Sequence, residues 1–192
     1  MSRYRYDIFV SVKSDDVFSD WLRTRFLPLF SAYLRQDVIV KCGRQFEGYF
    51  FYEQALRPGD PWPEELRMAI KTSRVAVALC SPEYFFSDWC LTELHSFMKR
   101  GKKVLVPVSI YDGEAFPQEV REIQNSDLSK YVIVGEGFTL TKGYVDFQEK
   151  LKQLSSDVAV RIFEAPPYSD WPIEDKTAPP GEPDIPQQTL GS

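Results

Sequence analysis

The chain has 192 residues, of which 43% are hydrophobic and 15% aromatic, and this is enough apolar material for the core of one globular domain. Its net charge of −5 lacks the basic excess of nucleic-acid-binding proteins. Three cysteines without a Cys-x-x-Cys pair argue against a disulfide framework or a zinc site and favour a reducing compartment. No leader peptide and no apolar run of about 18 residues is visible, so we expect a cytoplasmic protein without nucleic-acid or membrane partners.

The first part of the chain predicts two strands separated by a long helix. Residues 7–11 (DIFVS) form a short apolar run that is typical of a buried strand. Residues 17–34 repeat large apolar side chains at three- and four-residue spacings, which predicts an amphipathic helix with a kink near Pro28. Residues 37–42 (DVIVKC) suggest an additional strand, and residues 49–52 (YFFY) predict the second strand of the main sheet.

The middle of the chain continues this alternation. A loop with strong turn residues at 53–62 leads to Pro63, which suits the first position of a helix. The apolar runs 75–79 and 104–110 then predict two further strands. The side chains that the helix directs inward are Leu66, Ala69 and Ile70.

The C-terminal part predicts the end of the domain. A helix at 117–125 and a strand at 131–134 precede a last helix at 144–160. We therefore place the domain at residues 1–163, and we expect 164–192 to be a proline-rich linker or disordered tail, since it holds half of the prolines and has no helical or strand period. The side chains that the last helix directs inward are Val145, Phe147, Leu151, Leu154 and Val158.

Strands that alternate with helices and are apolar throughout predict a parallel sheet covered on both faces. Five strands in about 160 residues fit an α/β, flavodoxin-like fold, which is a doubly wound parallel five-stranded sheet with helices on both faces. Ligands of such folds bind outside the carboxyl ends of the strands. Ser11, Tyr52 and Ser81 follow or end predicted strands, so we expect them at that edge.

Several familiar catalytic arrangements are missing from the sequence. There is no GxxxxGK[ST] phosphate loop, and Gly135 and Gly137 do not begin a GxGxxG fingerprint because residue 140 is leucine. The one histidine of the sequence, His95, we interpret as a surface or packing residue, so a Ser-His-Asp triad is not expected. We expect neither a bound metal nor a cofactor.

Residues 74–94 carry the most informative pair of side chains. They predict a strand, a Ser-Pro turn and a helix on which Trp89 and Glu93 share one face, because the two are four residues apart. The plain interpretation is an exposed glutamate and a tryptophan that packs over the sheet edge. Alternatively, an indole beside a carboxylate suits a substrate with a flat cationic ring and a ribose, as in nicotinamide dinucleotides. The leaving group is then already positively charged, so one carboxylate that stabilises an oxocarbenium-like transition state could suffice.

Three segments, in this order and at these spacings, resemble a TIR domain over about residues 5–160. The first is 7–11, and the third is 73–94, which contains Trp89 and Glu93 in the pattern Trp-Cys-Leu-Thr-Glu of prokaryotic, NAD-cleaving members. The second is a loop that consists of Leu56, Arg57, Pro58, Gly59 and Asp60, followed by Trp62.

The resemblance implies a flavodoxin-like fold and cleavage of the substrate NAD+ at the nicotinamide–ribose bond, which gives ADP-ribose or a cyclic product. It implies that Glu93 is catalytic and that Phe9, Ser11 and Trp89 bind the substrate, to which we add Tyr52 at the end of the second strand. It also implies activation by self-association through TIR–TIR contacts, with the loop from Leu56 to Trp62 against a neighbour, and a role in anti-phage defence.

Two other functions stay open from the sequence. A non-catalytic TIR module would use the loop around Pro58 to dock partner TIR domains, and Glu93 would then pair with a cation. A nucleoside-processing enzyme of similar fold would act on a substrate that is not a dinucleotide. An NAD+ turnover assay with product identification distinguishes all three functions.

Overall fold

The computed structural model describes residues 3–13, 16–52, 63–112, 116–123 and 126–173. Within them, five strands form one parallel sheet in the order β2-β1-β3-β4-β5. The order is that of flavodoxin-like domains, so the predicted fold class is confirmed. The strands are β1 (Tyr6–Val12), β2 (Tyr49–Phe51), β3 (Ser73–Cys80), β4 (Leu105–Ser109) and β5 (Ser126–Asp127).

Helices cover both faces of this sheet, and each face has its own apolar core. Because side chains alternate along a strand, Ile8 and Val10 of β1 enter the core beneath the long first and last helices, while Phe9 enters the other core. Ser11 therefore faces the same side as Phe9. The helices are α1 (Asp16–Trp21), α2 (Leu27–Cys42), α3 (Glu64–Thr72), α4 (Asp88–Arg100), α5 (Gln118–Arg121) and α6 (Lys142–Glu164).

The additional strand predicted at residues 37–42 is wrong, because these residues form the last turns of α2. Val38 is fully buried in the core that α2 shares with α6. The carboxylate of Asp37 accepts a hydrogen bond of 2.5 Å from Ser155 of α6. Packing between the two helices thus outweighs the weak strand preference of the β-branched residues.

The irregularity predicted near Pro28 takes the form of a π-helical turn at Leu22–Phe26, between α1 and α2. There the backbone N–H of Leu27 donates to the carbonyl oxygen of Leu22, five residues earlier. Pro28 has no N–H to donate, so the turn lies where the regular bonding pattern would be interrupted in any case.

Helix α2 ends at a glycine in the left-handed conformation. Gly43 has φ 65° and ψ 21°, and its N–H donates to the carbonyl oxygen of Ile39 at 3.1 Å. No atom lies within 4 Å of the position that a Cβ would take, so the backbone conformation alone resists substitution. We expect Gly43→Ala to lower the free energy of unfolding by about 1 kcal/mol.

Chemical denaturation measures this change. Gly135→Ala is the matched control, because Gly135 also has open space around it but has φ −55°. Equal stability of Gly43→Ala and the unchanged protein would contradict the left-handed end of α2.

The strand predicted at residues 131–134 is also wrong. The sheet instead takes its last strand from β5, whose Ser126 pairs with Val108 of β4. Tyr131 ends a 3-10 turn, and its carbonyl oxygen accepts a hydrogen bond of 2.8 Å from Trp21 Nε1 of α1. This contact holds the segment against the first helix and outside the sheet.

The two C-terminal helices follow the prediction in kind but not in length. The helix predicted at 117–125 is the short α5, and residues 124–125 lie outside the described part of the chain. Helix α6 is longer than predicted, and Val145 is 52% exposed, so its inward assignment is wrong. The other four inward residues are buried as predicted: Phe147, Leu151, Leu154 and Val158.

Residues 165–173 contain no helix or strand, yet they contact Tyr4, two residues before β1. Tyr4 donates a hydrogen bond of 3.0 Å to the carbonyl oxygen of Pro166, and Trp171 Nε1 donates one of 3.2 Å to the Tyr4 hydroxyl. Tyr168 packs its ring edge against Tyr4. In the part of the chain that the structure describes, no helix is long and apolar enough to cross a membrane.

Candidate active site

The sheet topology brings the end of β1 next to the start of α4. Ser11 pairs with Ala78 near the carboxyl end of the central strand pair, and Glu93 lies in the second turn of α4. Ser11 Oγ and Glu93 Oε2 are hydrogen-bonded at 2.5 Å, although 82 residues separate them in the sequence. Glu93 is only 7% exposed, so the interpretation of an exposed helical glutamate is wrong.

Two serine caps fix the segment between β3 and α4. Ser81 accepts a hydrogen bond of 3.3 Å from the backbone N–H of Tyr84 and begins a 3-10 helix at Pro82–Phe86. Ser87 accepts one of 3.4 Å from the N–H of Cys90 and begins α4. Serine is a preferred N-cap, and Pro82 suits the first position of the 3-10 helix, so the local sequence dictates where the chain folds back over the sheet edge.

Tyr84 is a site residue that the sequence analysis missed. Its side chain is fully buried, and its hydroxyl lies 2.7 Å from Ser11 Oγ and 3.2 Å from the carbonyl oxygen of Cys90. The available signal was its place three residues after Ser81, in the turn that leads the chain back over the sheet edge. A buried tyrosine hydroxyl needs a polar partner, and here that partner is Ser11.

Burial dominates the electrostatics of the site. It raises the pKa of Glu93 from its ordinary value of 4.5 to about 8, and the hydrogen bond with Ser11 partly opposes this shift. Burial also raises the pKa of the Tyr84 hydroxyl well above its ordinary value, with a smaller contribution from Cys90. Burial likewise raises the pKa of the Cys80 thiol to about 12 and, with help from Glu93, that of Cys90. The hydroxyl and the thiols are therefore neutral at pH 7.

The other expected substrate-binding residues belong to, or pack against, the apolar core that contains Tyr84 and Cys90. Phe9 is buried in this core, and its ring stacks on Phe50 with 5.6 Å between the centroids. Tyr52 is half-buried and stacks on the other end of this row, 6.5 Å from Phe50. Trp89 is half-buried and packs against the same core, one helical turn before Glu93.

The expected assembly loop cannot be placed, because Leu56 to Trp62 lie outside the described residues. His95 is a quarter exposed, and its Nε2 lies 3.3 Å from Glu119, which agrees with a surface role. No group of three or more His, Cys, Asp or Glu side chains within the described ranges could hold a metal ion.

Among the described residues, the arrangement offers one buried carboxyl group, that of Glu93, at the carboxyl edge of the parallel sheet. Tyr52 and Trp89 pack against the core that contains Tyr84 and Cys90, and this edge is where ligands bind in open α/β folds. A lone carboxyl group suits stabilisation of a developing positive charge better than chemistry that needs an acid and a base together.

Comparison with known families identifies what this chain is similar to. A family model described as "TIR domain" matches residues 42–138, which are about half of the chain. The matched range includes Trp89 and Glu93 but begins after Ser11.

The relatives of this chain include plant proteins. A "probable 2′ cyclic ADP-D-ribose synthase BdTIR" of Brachypodium distachyon is 31% identical over 108 residues, which are 56% of this chain and 42% of that protein. The "disease resistance protein RUN1" of Vitis rotundifolia is 29% identical over 177 residues, which are 88% of this chain and 11% of that protein. The chain therefore spans less than half the length of either relative.

Among solved structures, the chain is similar to the TIR domains of the activated Roq1 resistosome, which directly recognises the pathogen effector XopQ. The sequence identity is 28% and the TM-score 0.39, over 82% of this chain and 83% of that one.

Proposed function

Since the chain belongs to the TIR domain family, we propose that it is an NAD+ nucleosidase that cleaves the bond between nicotinamide and ribose. The products are nicotinamide and either ADP-ribose or a cyclic ADP-ribose. The observation that carries this proposal is the buried carboxyl group of Glu93, held by Ser11 at the ligand-binding edge of the sheet. The relative named as a 2′ cyclic ADP-D-ribose synthase supports the same chemistry.

The reaction asks little of the protein beyond charge stabilisation. The bond between the ribose C1′ and the ring nitrogen breaks, and its electron pair goes to nicotinamide, which leaves as a neutral molecule without protonation. Positive charge develops on the ribose, and an ionised Glu93 stabilises it. Water, or a hydroxyl group of the same nucleotide, then attacks C1′ and loses a proton. Trp89 would stack on the flat nicotinamide ring.

We also propose a setting for this activity. The names of the plant relatives support a role in innate immunity, and the anti-phage role and the prokaryotic, NAD-cleaving subtype stay predictions. Self-association through TIR–TIR contacts, with the loop from Leu56 to Trp62 against a neighbour, would complete the site. Family membership supports this part.

NAD+ consumption by the full chain tests the proposal. The protein is assayed over a wide range of concentrations and with a crowding agent that favours assembly, and mass spectrometry identifies the products. We expect nicotinamide release that rises more than linearly with protein concentration. If no concentration gives more nicotinamide than a Glu93→Gln preparation, the non-catalytic interaction module is the better description.

Trp89→Ala is expected to weaken substrate binding. Loss of stacking on nicotinamide should cost about 1–2 kcal/mol, which raises KM roughly 5- to 30-fold. Steady-state kinetics measure this, with Trp89→Phe as the control, because phenylalanine retains an aromatic face. An unchanged KM in Trp89→Ala would remove Trp89 from the site.

A further inference from the structure

Three polar contacts form a row at the base of the candidate active site. Glu93 Oε2 lies 2.5 Å from Ser11 Oγ, which lies 2.7 Å from the Tyr84 hydroxyl, and that hydroxyl lies 3.2 Å from the carbonyl oxygen of Cys90. Ser11 is 2% exposed and Tyr84 is fully buried. The hydrogen bonds of Ser11 and Tyr84 are therefore made within the row and not with solvent.

Counting protons decides which form of Glu93 fits the row. Each hydrogen bond needs one proton between its two oxygen atoms, and the carbonyl oxygen of Cys90 brings none. Ser11 and Tyr84 bring one each, so an ionised Glu93 leaves two protons for three contacts. A protonated Glu93 supplies the third: it donates to Ser11, Ser11 donates to Tyr84, and Tyr84 donates to the carbonyl. Only the neutral form makes all three contacts at once, so the row favours it by one hydrogen bond.

Among the described residues, the ionisable groups around the row do not compensate a negative charge on Glu93. Burial raises the pKa of Glu93 and the hydrogen bond with Ser11 lowers it, and no described cation is among the causes. Strand β4 carries no ionisable side chain. The other described ionisable groups on α4 and on the elements that pack on it are Tyr6 and Asp7 on β1 and Lys13 after it, Arg74 and Cys80 on β3, Glu83 and Tyr84 on the 3-10 helix before α4, Asp88, Cys90, His95, Lys99 and Arg100 on α4 itself, Lys102 and Lys103 on the 3-10 turn after it, and Glu64, Glu65, Arg67 and Lys71 on α3. Of these, Lys13 acts on Cys90 and is not a cause of the shift in the pKa of Glu93.

We propose that Tyr84 is a positioning residue for Glu93: through Ser11 it completes a chain of hydrogen bonds that keeps a proton on the Glu93 carboxyl group in the unliganded domain. A neutral carboxyl group cannot stabilise a positively charged transition state. The cationic nicotinamide ring, once bound beside Glu93, favours the ionised form. Glu93, which is 7% exposed, then loses its proton to solvent. The unliganded domain therefore holds its carboxyl group in an inactive form. This consequence for catalysis rests on the proposed NAD+ cleavage, whereas the protonation of Glu93 does not.

Titration of Glu93 in the unliganded full chain tests the proposal without any activity assay. The protein is labelled with ¹³C at the side-chain carboxyl carbon of glutamate, and the Glu93 resonance is identified by its loss in Glu93→Gln. We expect it to titrate near pH 8. A Glu93 that titrates at or below its ordinary pKa of 4.5 overturns the proposal.

Two variants should move this titration in opposite directions. Tyr84→Phe removes two hydrogen bonds from the form with a neutral Glu93, the one from Ser11 to Tyr84 and the one from Tyr84 to the Cys90 carbonyl. It removes only one from the form with an ionised Glu93, in which Ser11 donates to Glu93 instead. The pKa of Glu93 should then fall by about 0.5–1 pH unit. Ser11→Ala removes the donor that stabilises the ionised carboxylate, so the pKa of Glu93 should rise. A Tyr84 whose role is only structural would lower stability and leave the pKa of Glu93 unchanged, which contradicts the proposal.

Tyr4→Phe is the matched control. Tyr4 is 4% exposed and also uses its hydroxyl in a hydrogen bond, but at the opposite end of β1. Its replacement should leave the pKa of Glu93 unchanged. If Tyr84→Phe does not fold, the titration of the unchanged protein and of Ser11→Ala still decides the matter. If Glu93 has a high pKa but the protein does not cleave NAD+, the proposed function is wrong and the proposed protonation of Glu93 stands.

Discussion

Glu93→Gln is expected to lower NAD+ turnover by roughly 10³-fold, the size of effect that follows removal of one group preorganised for transition-state charge. Glutamine keeps the size of the side chain and its ability to bond Ser11, but it carries no negative charge at any pH. The developing cation on the ribose then loses its counter-charge. Initial rates of nicotinamide release, measured on assembled protein at saturating NAD+, give the ratio directly.

Glu83→Gln is the matched control for this prediction. Glu83 is exposed on the 3-10 helix that connects β3 to α4, and it lies ten residues before Glu93 in the sequence. Its amide variant should retain the full rate. A Glu93→Gln enzyme with more than a third of the normal rate would show that another group carries the negative charge.

The strands at the centre of the sheet were predictable because burial on both faces requires a continuous run of apolar residues, which is easy to find in the sequence. The runs around Phe9 in β1 and Val77 in β3 are apolar throughout, and both strands lie where predicted. Residues 37–42 give nearly the same signal, yet they are helical. Their helical structure depends on packing against Ser155 and the core side chains of α6, more than 100 residues later in the sequence. The sequence of residues 37–42 contains no information about these contacts.

The candidate site was predictable in part for the same reason. Glu93 and Trp89 share a helix, so their spacing alone brings them together, and Ser11 ends a recognisable strand. Tyr84 joins them only because the caps at Ser81 and Ser87 set the length of the turn before α4. The neutral state expected for Glu93 also depends on burial by several distant segments, and burial is a property of the packed chain.

Glu93→Gln is also expected to stabilise the domain, and by more as the pH rises. Folding raises the pKa of Glu93 from 4.5 to about 8, so between these values the folded state holds a proton that the unfolded state has lost. Stability that is fully present below pH 4.5 is therefore lost as the pH rises toward 8. At about 1.4 kcal/mol per pH unit, the loss is on the order of 4 kcal/mol by pH 8 and is constant above it.

The measurement is the free energy of unfolding by urea, at several pH values from 4 to 9, for the unchanged protein and Glu93→Gln. All other titrating groups are shared, so they cancel in the difference between the two proteins. That difference should be near zero at about pH 4.5 and reach its full size at about pH 8. Glu83→Gln should give a difference that does not change with pH, since Glu83 is exposed. A flat or falling difference for Glu93→Gln would contradict the buried, proton-binding carboxyl group.

The two expected effects of this one substitution have opposite signs, and that separates function from structure. If Glu93 served only to hold Ser11 and α4 together, its replacement would lower stability, and activity would fall with it. A carboxyl group behaves differently if burial disfavours its charged form while catalysis requires that charge. Its removal then stabilises the fold and abolishes turnover. A Glu93→Gln protein that is more stable at pH 8 and inactive would therefore show that Glu93 is retained for its charge, at the expense of the fold around it.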